Sequence, residues 1–224
     1  MDSLKIIGHR GAKGLAPENT LKAFEKAIEH GVDQVELDLR VTKDGVVVLN
    51  HNQDVTDPAG NKLPLKTHTF EELRVHKPDL ITFESFLESV GHKTHLLLDI
   101  KPHEPVQPIA TIIQTQLTAG WPASTFSIGS FDQSILRAMH RAFPDIEIVV
   151  IEHWSGVRAQ LRARQVHTKR ISMRSWWLWR GFLRAMHRAG YQVSPYTLNN
   201  PQRAHKWQPY IYGIITDRPD LFQK

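Results

Sequence analysis

The stretch VELDLRVTKDGVVVLNH, residues 35–51, decides the fold. Two apolar runs flank Asp44-Gly45, and Asp-Gly in that setting is a strong signal for a tight β-hairpin. Nine strand-like segments occur along the chain: KIIGH (5–9), QVELDLRV (34–41), VVVLNH (46–51), HLLLDIK (95–101), TFSIGSF (125–131), EIVVIE (147–152), RISM (170–173), QVSPYT (192–197) and GIIT (213–216). Parallel neighbours need long crossovers, whereas a two-residue turn joins only antiparallel ones. VVVLNH therefore folds back on the strand before it, and eight strands remain in alternation with helices. That pattern predicts an α/β fold: a (β/α)8 TIM-type barrel with an extra antiparallel hairpin arm. The rival open doubly wound sheet lacks its Gly-rich dinucleotide fingerprint.

The helices between the strands carry their own signals. Leu21, Phe24, Ala27 and Ile28 share one face of a helix over 20–30 that stops at Gly31. Residues 133–143 and 177–189 are spaced alike, the second stopping at Gly190. No linker-like or low-complexity segment intervenes, so residues 1–224 read as a single barrel domain.

The hairpin also groups chemistry. With Asp44-Gly45 as a two-residue loop, opposed residues sum to 89, which sets Asp38 against His51. Glu36 lies two residues from Asp38, so both carboxylates leave one face of the strand. At ~6 Å they repel by about 3 kcal/mol at an effective dielectric near 20. A divalent cation removes that repulsion, although ELD alone fits a solvent-facing carboxylate edge better. HLLLDIK adds Asp99 and Lys101 at the C-terminal end of a buried strand, where barrels of this type keep their active sites. The same rule puts His9, Arg10, Ser130, Glu152, Tyr196 and Asp217 near the mouth. Three carboxylates, two histidines and two cations suit metal-assisted attack on a phosphate ester. The basic groups would hold phosphate oxygens and the histidines would move protons. In HRGAKGLAPENT (9–20), Gly11 allows a sharp turn and Asn19 or Thr20 can cap the next helix. Glu18 can serve as a hydrogen-bond partner or simply favour the helix dipole.

Composition narrows the classes. The 224 residues include no Cys, which excludes disulfides, zinc-thiolate sites and a Cys nucleophile. A formal charge of +5 favours an anionic ligand, and the scattered basic residues argue against nucleic acid. The N-terminus, Met1-Asp2-Ser3-Leu4-Lys5, goes straight into KIIG, so neither a signal peptide nor a transmembrane segment is expected and the cytoplasm is the expected location. His68, His76, His92, His95, His103, His140, His167, His187 and His205 match no motif and read as surface or core.

HRG…PENT, ELDLRVTKDGVVVLNH, DIKP and GIITDRP, in this order and spacing, resemble the glycerophosphodiester phosphodiesterase family from His9 to Pro219. The resemblance implies a TIM-type barrel that hydrolyses small-molecule glycerophosphodiesters to glycerol 3-phosphate and an alcohol. It implies one divalent cation, Mg²⁺ ahead of Ca²⁺ or Mn²⁺, held by Glu36, Asp38 and Asp99. It makes His9 and His51 the acid–base pair, has Arg10 and Lys101 contact the phosphate, and makes Tyr196 an aromatic wall against the substrate. In the family the neighbouring glycerol hydroxyl attacks phosphorus and water then opens a cyclic intermediate. Three positions depart from the family pattern: Asp99 stands for the usual Glu, Asn52 for the usual Asp, and Tyr196 for a frequent Trp. Two alternatives stay open. SWWLWRGF (175–182) favours a lysophospholipase D, with a weak membrane-surface contact through Trp176, Trp177 and Trp179. Asp99 and Asn52 favour a catalytically weak phosphodiester-binding protein. The alcohol group, the order of the two histidines and the oligomeric state stay open.

Overall fold

The structure is a computed structural model that describes residues 4–57, 59–91 and 93–222. The expectations placed on Met1–Ser3 and His92 lie outside the described residues. The barrel strands are β1 (Lys5–Gly8), β2 (Gln34–Val41), β6 (His95–Ile100), β7 (Phe126–Ser130), β8 (Glu147–Glu152), β9 (Arg170–Arg174), β10 (Gln192–Tyr196) and β11 (Gly213–Thr216). Outside the barrel lie β3 (Val47–Leu49), β4 (Asp54–Thr56) and β5 (Lys62–Pro64). The helices are α1 (Leu21–Glu29), α2 (Phe70–His76), α3 (Phe83–Val90), α4 (Val106–Thr118), α5 (Gln133–Ala142), α6 (Gly156–Gln165), α7 (Arg180–Arg188) and α8 (Pro201–Trp207).

Among the described residues the eight barrel strands run parallel in the order β10-β9-β8-β7-β6-β2-β1-β11, with β3 antiparallel on β2. The two ends of this sheet meet. Tyr212 N–H donates to the Val193 carbonyl and Leu198 N–H to the Ile215 carbonyl, both at 2.9 Å, so the barrel nearly closes.

Every residue of β2 is buried, and its alternation divides the layers. Val35, Leu37 and Leu39 pack outward in the main apolar core beneath the helices. Glu36, Asp38 and Arg40 face the barrel mouth. Ile7, Leu97, Val149 and Ile215 plug the barrel interior. α1 forms as its spacing predicts. Thr20 caps it by accepting from Ala23 N–H at 3.3 Å, and Phe24 meets Phe86 of α3 with ring centroids 4.5 Å apart.

Three expectations need correction. The β2–β3 turn holds three residues, 43–45, rather than two, because Thr42 N–H donates to the Val46 carbonyl at 3.0 Å. Val41 pairs with Val47, Arg40 with Val48 and Leu39 with Leu49, a register one residue short of that expected. The Asp44 side chain causes this: it accepts from Thr42 Oγ1 at 2.5 Å and from Phe70 N–H at 3.1 Å, so it serves the turn and the start of α2 together. Gly45, at φ +83, then takes the left-handed position of a three-residue hairpin loop. Asp38 consequently faces Asn50, whose N–H donates to the Asp38 carbonyl at 3.1 Å, and not His51.

The β4–β5 hairpin was not anticipated. Its segments are too short and polar to show a period, and Val55 holds it against Val48, Leu65, Leu73 and Leu80. Finally, the helix expected over 177–189 begins at Arg180, because Ser175–Trp177 forms a 3-10 turn first.

Candidate active site

Eight of the residues singled out from the sequence line one cleft of about 640 Å³ at the C-terminal mouth: His9, Arg10, Glu36, Asp38, His51, Asp99, Lys101 and Tyr196. Parallel pairing explains the carboxylates. Asp38 on β2 is in direct register with Asp99 on β6, and Glu36 lies one pleat below Asp38 on the same face. One oxygen from each of Glu36, Asp38 and Asp99 lies within 4.8 Å of the others, and all three residues are buried. β1, the neighbour of β2 on its other side, delivers the adjoining wall. Gly11, at φ +82, brings the chain so close to α1 that a Cβ would stand 2.5 Å from the Ala23 carbonyl carbon. That turn points the Arg10 N–H at Glu36 Oε2, 2.8 Å away.

Two cations thread this acidic cluster. Lys101 Nζ lies 2.5 Å from Asp99 Oδ2 and also pairs closely with Asp38 Oδ1. Arg10 Nε lies 3.1 Å from Asp38 Oδ2, and its Nη1 donates to both Glu18 oxygens at 2.8–2.9 Å. Glu18 is therefore a clamp on Arg10 rather than a helix-dipole residue alone. Asn19 braces the cluster instead of capping α1: its amide donates to Asp38 Oδ2 at 2.8 Å and accepts from Asp38 N–H at 3.2 Å.

The charges sort themselves by position. Burial raises the Asp38 carboxyl, but Lys101 and Arg10 outweigh it and hold Asp38 below the usual range. Glu36 is pushed well above its ordinary value, first by burial and then by the negative charge of Asp38. Lys101 is raised: burial opposes its charge, and Asp99 and Asp38 more than compensate. Asp99 Oδ1 is buried with no hydrogen-bond partner. The cluster thus has more carboxylate than its two cations satisfy.

The histidines approach from opposite sides. His9 Nδ1 donates to Asp217 Oδ1 at 2.6 Å, which leaves Nε2 for the cleft. Burial alone would raise Asp217, but its bonds to His9 and Asn199 keep it below the usual range. His51 leaves the β3 arm just past its last pair, and its Nδ1 lies 3.0 Å from Asn52 Oδ1. Burial depresses the His51 imidazole, Lys101 and Arg10 add to this, and Asp38 pulls the other way. So His51 reaches the cleft despite the shifted register, because only its loop, not the ladder, carries it there. On the far wall Tyr196 OH donates to the Glu152 carbonyl at 3.2 Å and lies 3.0 Å from His153 Nδ1.

The Glycerophosphoryl diester phosphodiesterase family profile matches residues 9–221. The chain belongs to that family. Bacillus subtilis (strain 168) YhdW is 30% identical over 98% of this chain and 96% of its own length. The glycerophosphodiester phosphodiesterase of Bacillus altitudinis is 25% identical over 96% of this chain and 95% of its own. The Oleispira antarctica phosphodiesterase OLEI02445, whose structure is a complex with the product sn-glycerol-3-phosphate, superposes with a TM-score of 0.85. It covers 98% of this chain and 95% of its own at 21% identity, and so shares the fold. This member of the family is a phosphodiesterase built on the expected TIM-type barrel.

Several cleft residues of this phosphodiesterase escaped the sequence reading. His153, Phe131 and Arg174 line the cleft beside Tyr196. Each directly follows or ends a barrel strand, so the strand-end rule that located His9 reaches them too. Asp217 stood near the mouth by that rule, but nothing local joins it to His9, 208 positions away. Conversely, Glu152 and Ser130 do not line the cleft. Glu152 is buried and paired with Arg158 and Arg162, and Ser130 Oγ donates to the Ile100 carbonyl at 2.6 Å. No helix among the described residues is long and apolar enough to cross a membrane.

Proposed function

We propose that this phosphodiesterase hydrolyses glycerophosphodiesters to glycerol 3-phosphate and an alcohol, with residues 1–224 acting as one barrel domain. The observation that carries the reading is the meeting of three buried carboxylates, two cations and two histidines in one cleft. The product found in the Oleispira antarctica phosphodiesterase supports the same substrate class.

The donor set fits a divalent cation. The Glu36, Asp38 and Asp99 oxygens are hard ligands, Asp99 Oδ1 lacks a partner, and Glu36 cannot easily ionise beside Asp38 without added positive charge. Bound there, Mg²⁺, Ca²⁺ or Mn²⁺ would neutralise charge on the phosphoryl oxygens. Arg10 and Lys101, already fixed by Glu18, Asp38 and Asp99, present cationic groups to the same oxygens without further ordering. His9, with Asp217 to stabilise its imidazolium, removes the proton from the glycerol hydroxyl next to the ester. That oxygen attacks phosphorus, and the bond from phosphorus to the alcohol oxygen breaks. His51 gives its proton to the departing alkoxide. The roles then reverse: His51 takes a proton from water, the water oxygen opens the cyclic phosphate, and His9 returns a proton to the glycerol oxygen. Tyr196 and Phe131 form the apolar wall on which the alcohol half lies.

The test is product analysis of several glycerophosphodiesters with Mg²⁺, Ca²⁺ or Mn²⁺ and with chelator. Glycerol 3-phosphate is expected only with metal. His9→Ala and His51→Ala are each expected to lower kcat by at least ~10²-fold, and Asp217→Asn to impair turnover through His9. Absence of glycerol 3-phosphate from every diester and ion would overturn the reading. Near-normal kcat in either alanine variant would remove that histidine from catalysis.

A further inference from the structure

Seven large hydrophobic side chains stand exposed among the described residues, and five of them, Trp154, Val157, Leu161, Trp176 and Trp179, fall on two adjacent segments. Trp154 lies in the β8–α6 loop, Trp176 sits in the 3-10 turn after β9, and Trp179 immediately precedes α7. All three indoles are more than half exposed. Val157 and Leu161 continue the patch along one face of α6, four residues apart. The segments are locked together. A Cβ on Gly156 would meet the Phe182 ring at 2.6 Å, and the Trp154 and Trp176 rings meet edge-on at 5.1 Å. Trp177 is the exception in this group. Its Nε1–H donates to the His153 carbonyl at 2.5 Å and its ring packs on Phe182, so it supports the rim and does not form its surface.

The charge around this rim is one-sided. Residues 153–216 contain eleven Lys and Arg and no Asp or Glu, while the rest of the chain has seventeen basic residues against twenty-three acidic. The basic residues are scattered in sequence, but the acids that would neutralise them are absent from this third of the barrel. Arg174, Arg180 and Arg184 are exposed and make no ion pair among the described residues. The Arg174 guanidinium lies 5.8 Å from the Trp154 ring centre. Indoles beside unpaired arginines match the interface of an anionic bilayer, where Trp sits at headgroup depth and Arg meets lipid phosphate. A nucleic acid would use the same charge but not Val157 and Leu161.

We propose that the rim formed by Trp154, Trp176 and Trp179 seats the protein, mouth first, on a bilayer surface rich in anionic lipid. The surface is separate from the catalytic cleft, which none of the three tryptophans lines. It also brings the cleft to the place where lipid-tailed diesters reside.

The experiment is sedimentation of the protein with vesicles of phosphatidylcholine containing about 30% phosphatidylglycerol, against pure phosphatidylcholine, at about 0.05 M salt. Wild type is expected to bind the anionic vesicles with a blue shift of indole emission, and to stay free of the neutral ones. Trp154→Ser/Trp176→Ser/Trp179→Ser is expected to lose at least ~10-fold in partitioning, with an unchanged thermal melt. Trp176→Ser alone carries the same test, at roughly threefold, if the triple variant does not fold. Arg180→Gln/Arg184→Gln is expected to reduce the anionic preference without abolishing the emission shift. Absence of wild-type binding, equal binding to both vesicles, or full binding by the tryptophan variants overturns the proposal. So does equally tight binding to a duplex oligonucleotide that the tryptophan variants retain. Vesicle binding is read without turnover, so its failure and a failure of the proposed reaction are told apart.

Discussion

At the scale of single residues, Glu36 is a side chain under strong electrostatic pressure. Its carboxyl is buried beside Asp38 and titrates well above its ordinary value. A raised folded-state value means that its contribution is fully present below the unfolded value, about 4.3. The contribution is lost as pH rises through the folded value. Metal-free Glu36→Gln should therefore melt above metal-free wild type by at least about 2 °C at pH 8, with the gap closing toward pH 4. Metal should reverse the order. An ion at a hundred times its Kd should raise the wild-type melt by roughly 5–10 °C and leave Glu36→Gln nearly unmoved. Melts that coincide at every pH would show that Glu36 bears no such strain. Asp99 tests the shorter ligand arm. Mg²⁺ demands near-octahedral contacts at about 2.1 Å while Ca²⁺ accepts longer ones. Asp99→Glu is thus expected to change ion preference or apparent ion affinity more than stability, and Asp99→Asn to weaken metal binding while the fold survives. Activity titrated with each ion checks this, and unchanged titrations in both variants would remove Asp99 from the ligand set.

At the scale of elements, two glycines with the same backbone sign separate positioning from mere conformation. Gly11 has φ +82 and no room for a Cβ against Ala23, whereas Gly45 has φ +83 and open space around it. Gly45→Ala should cost about 1–2 kcal/mol, the left-handed penalty of an L residue, with kcat intact. Gly11→Ala should cost more and also lower kcat by at least ~10-fold, because moving this loop shifts His9 and takes the Arg10 N–H from Glu36. Melts and kcat for the pair decide it, and equal kcat losses would mean that the first loop does not set the site. All nine anticipated strands exist, because each has a period of two or a continuous apolar run bounded by turn residues. The turn between β2 and β3 did not follow its dipeptide. Asp-Gly suits a two-residue loop, but the Asp44 carboxylate gains more by bonding Thr42 and Phe70. Competition from a backbone N–H outside the hairpin, that of Phe70, is invisible to a local turn rule.

At the scale of the whole molecule, charge is the organising quantity. The acids concentrate outside residues 153–216, and the cleft lies where that basic flank meets the buried carboxylates. An anionic diester should therefore be drawn in from solution. Raising KCl from about 0.02 to about 0.5 M should lower kcat/KM several-fold with kcat nearly constant. The slope should be steeper for glycerophosphoglycerol than for zwitterionic glycerophosphocholine. Equal slopes for the two would show that the flank does not steer substrate.

Sequence alone determined the alternation of strands and helices, and with it the barrel and the end at which side chains gather. Glu36 and Asp38 share a face because a strand has a period of two, and Asp99 and Lys101 sit at a strand end because an apolar run stops there. These are local properties, so a local reading finds them. Tertiary structure alone decided which side chains touch. Asp217 reaches His9 because β11 lies beside β1 when the barrel closes, and Asp38 meets Asp99 because β2 pairs with β6 in that register. Of the two caps the sequence offered, Thr20 takes the start of α1, and Asn19 goes to Asp38, a buried carboxylate that needs a donor. Such partners are chosen by the burial and closure of the whole sheet, and no spacing along the chain encodes them.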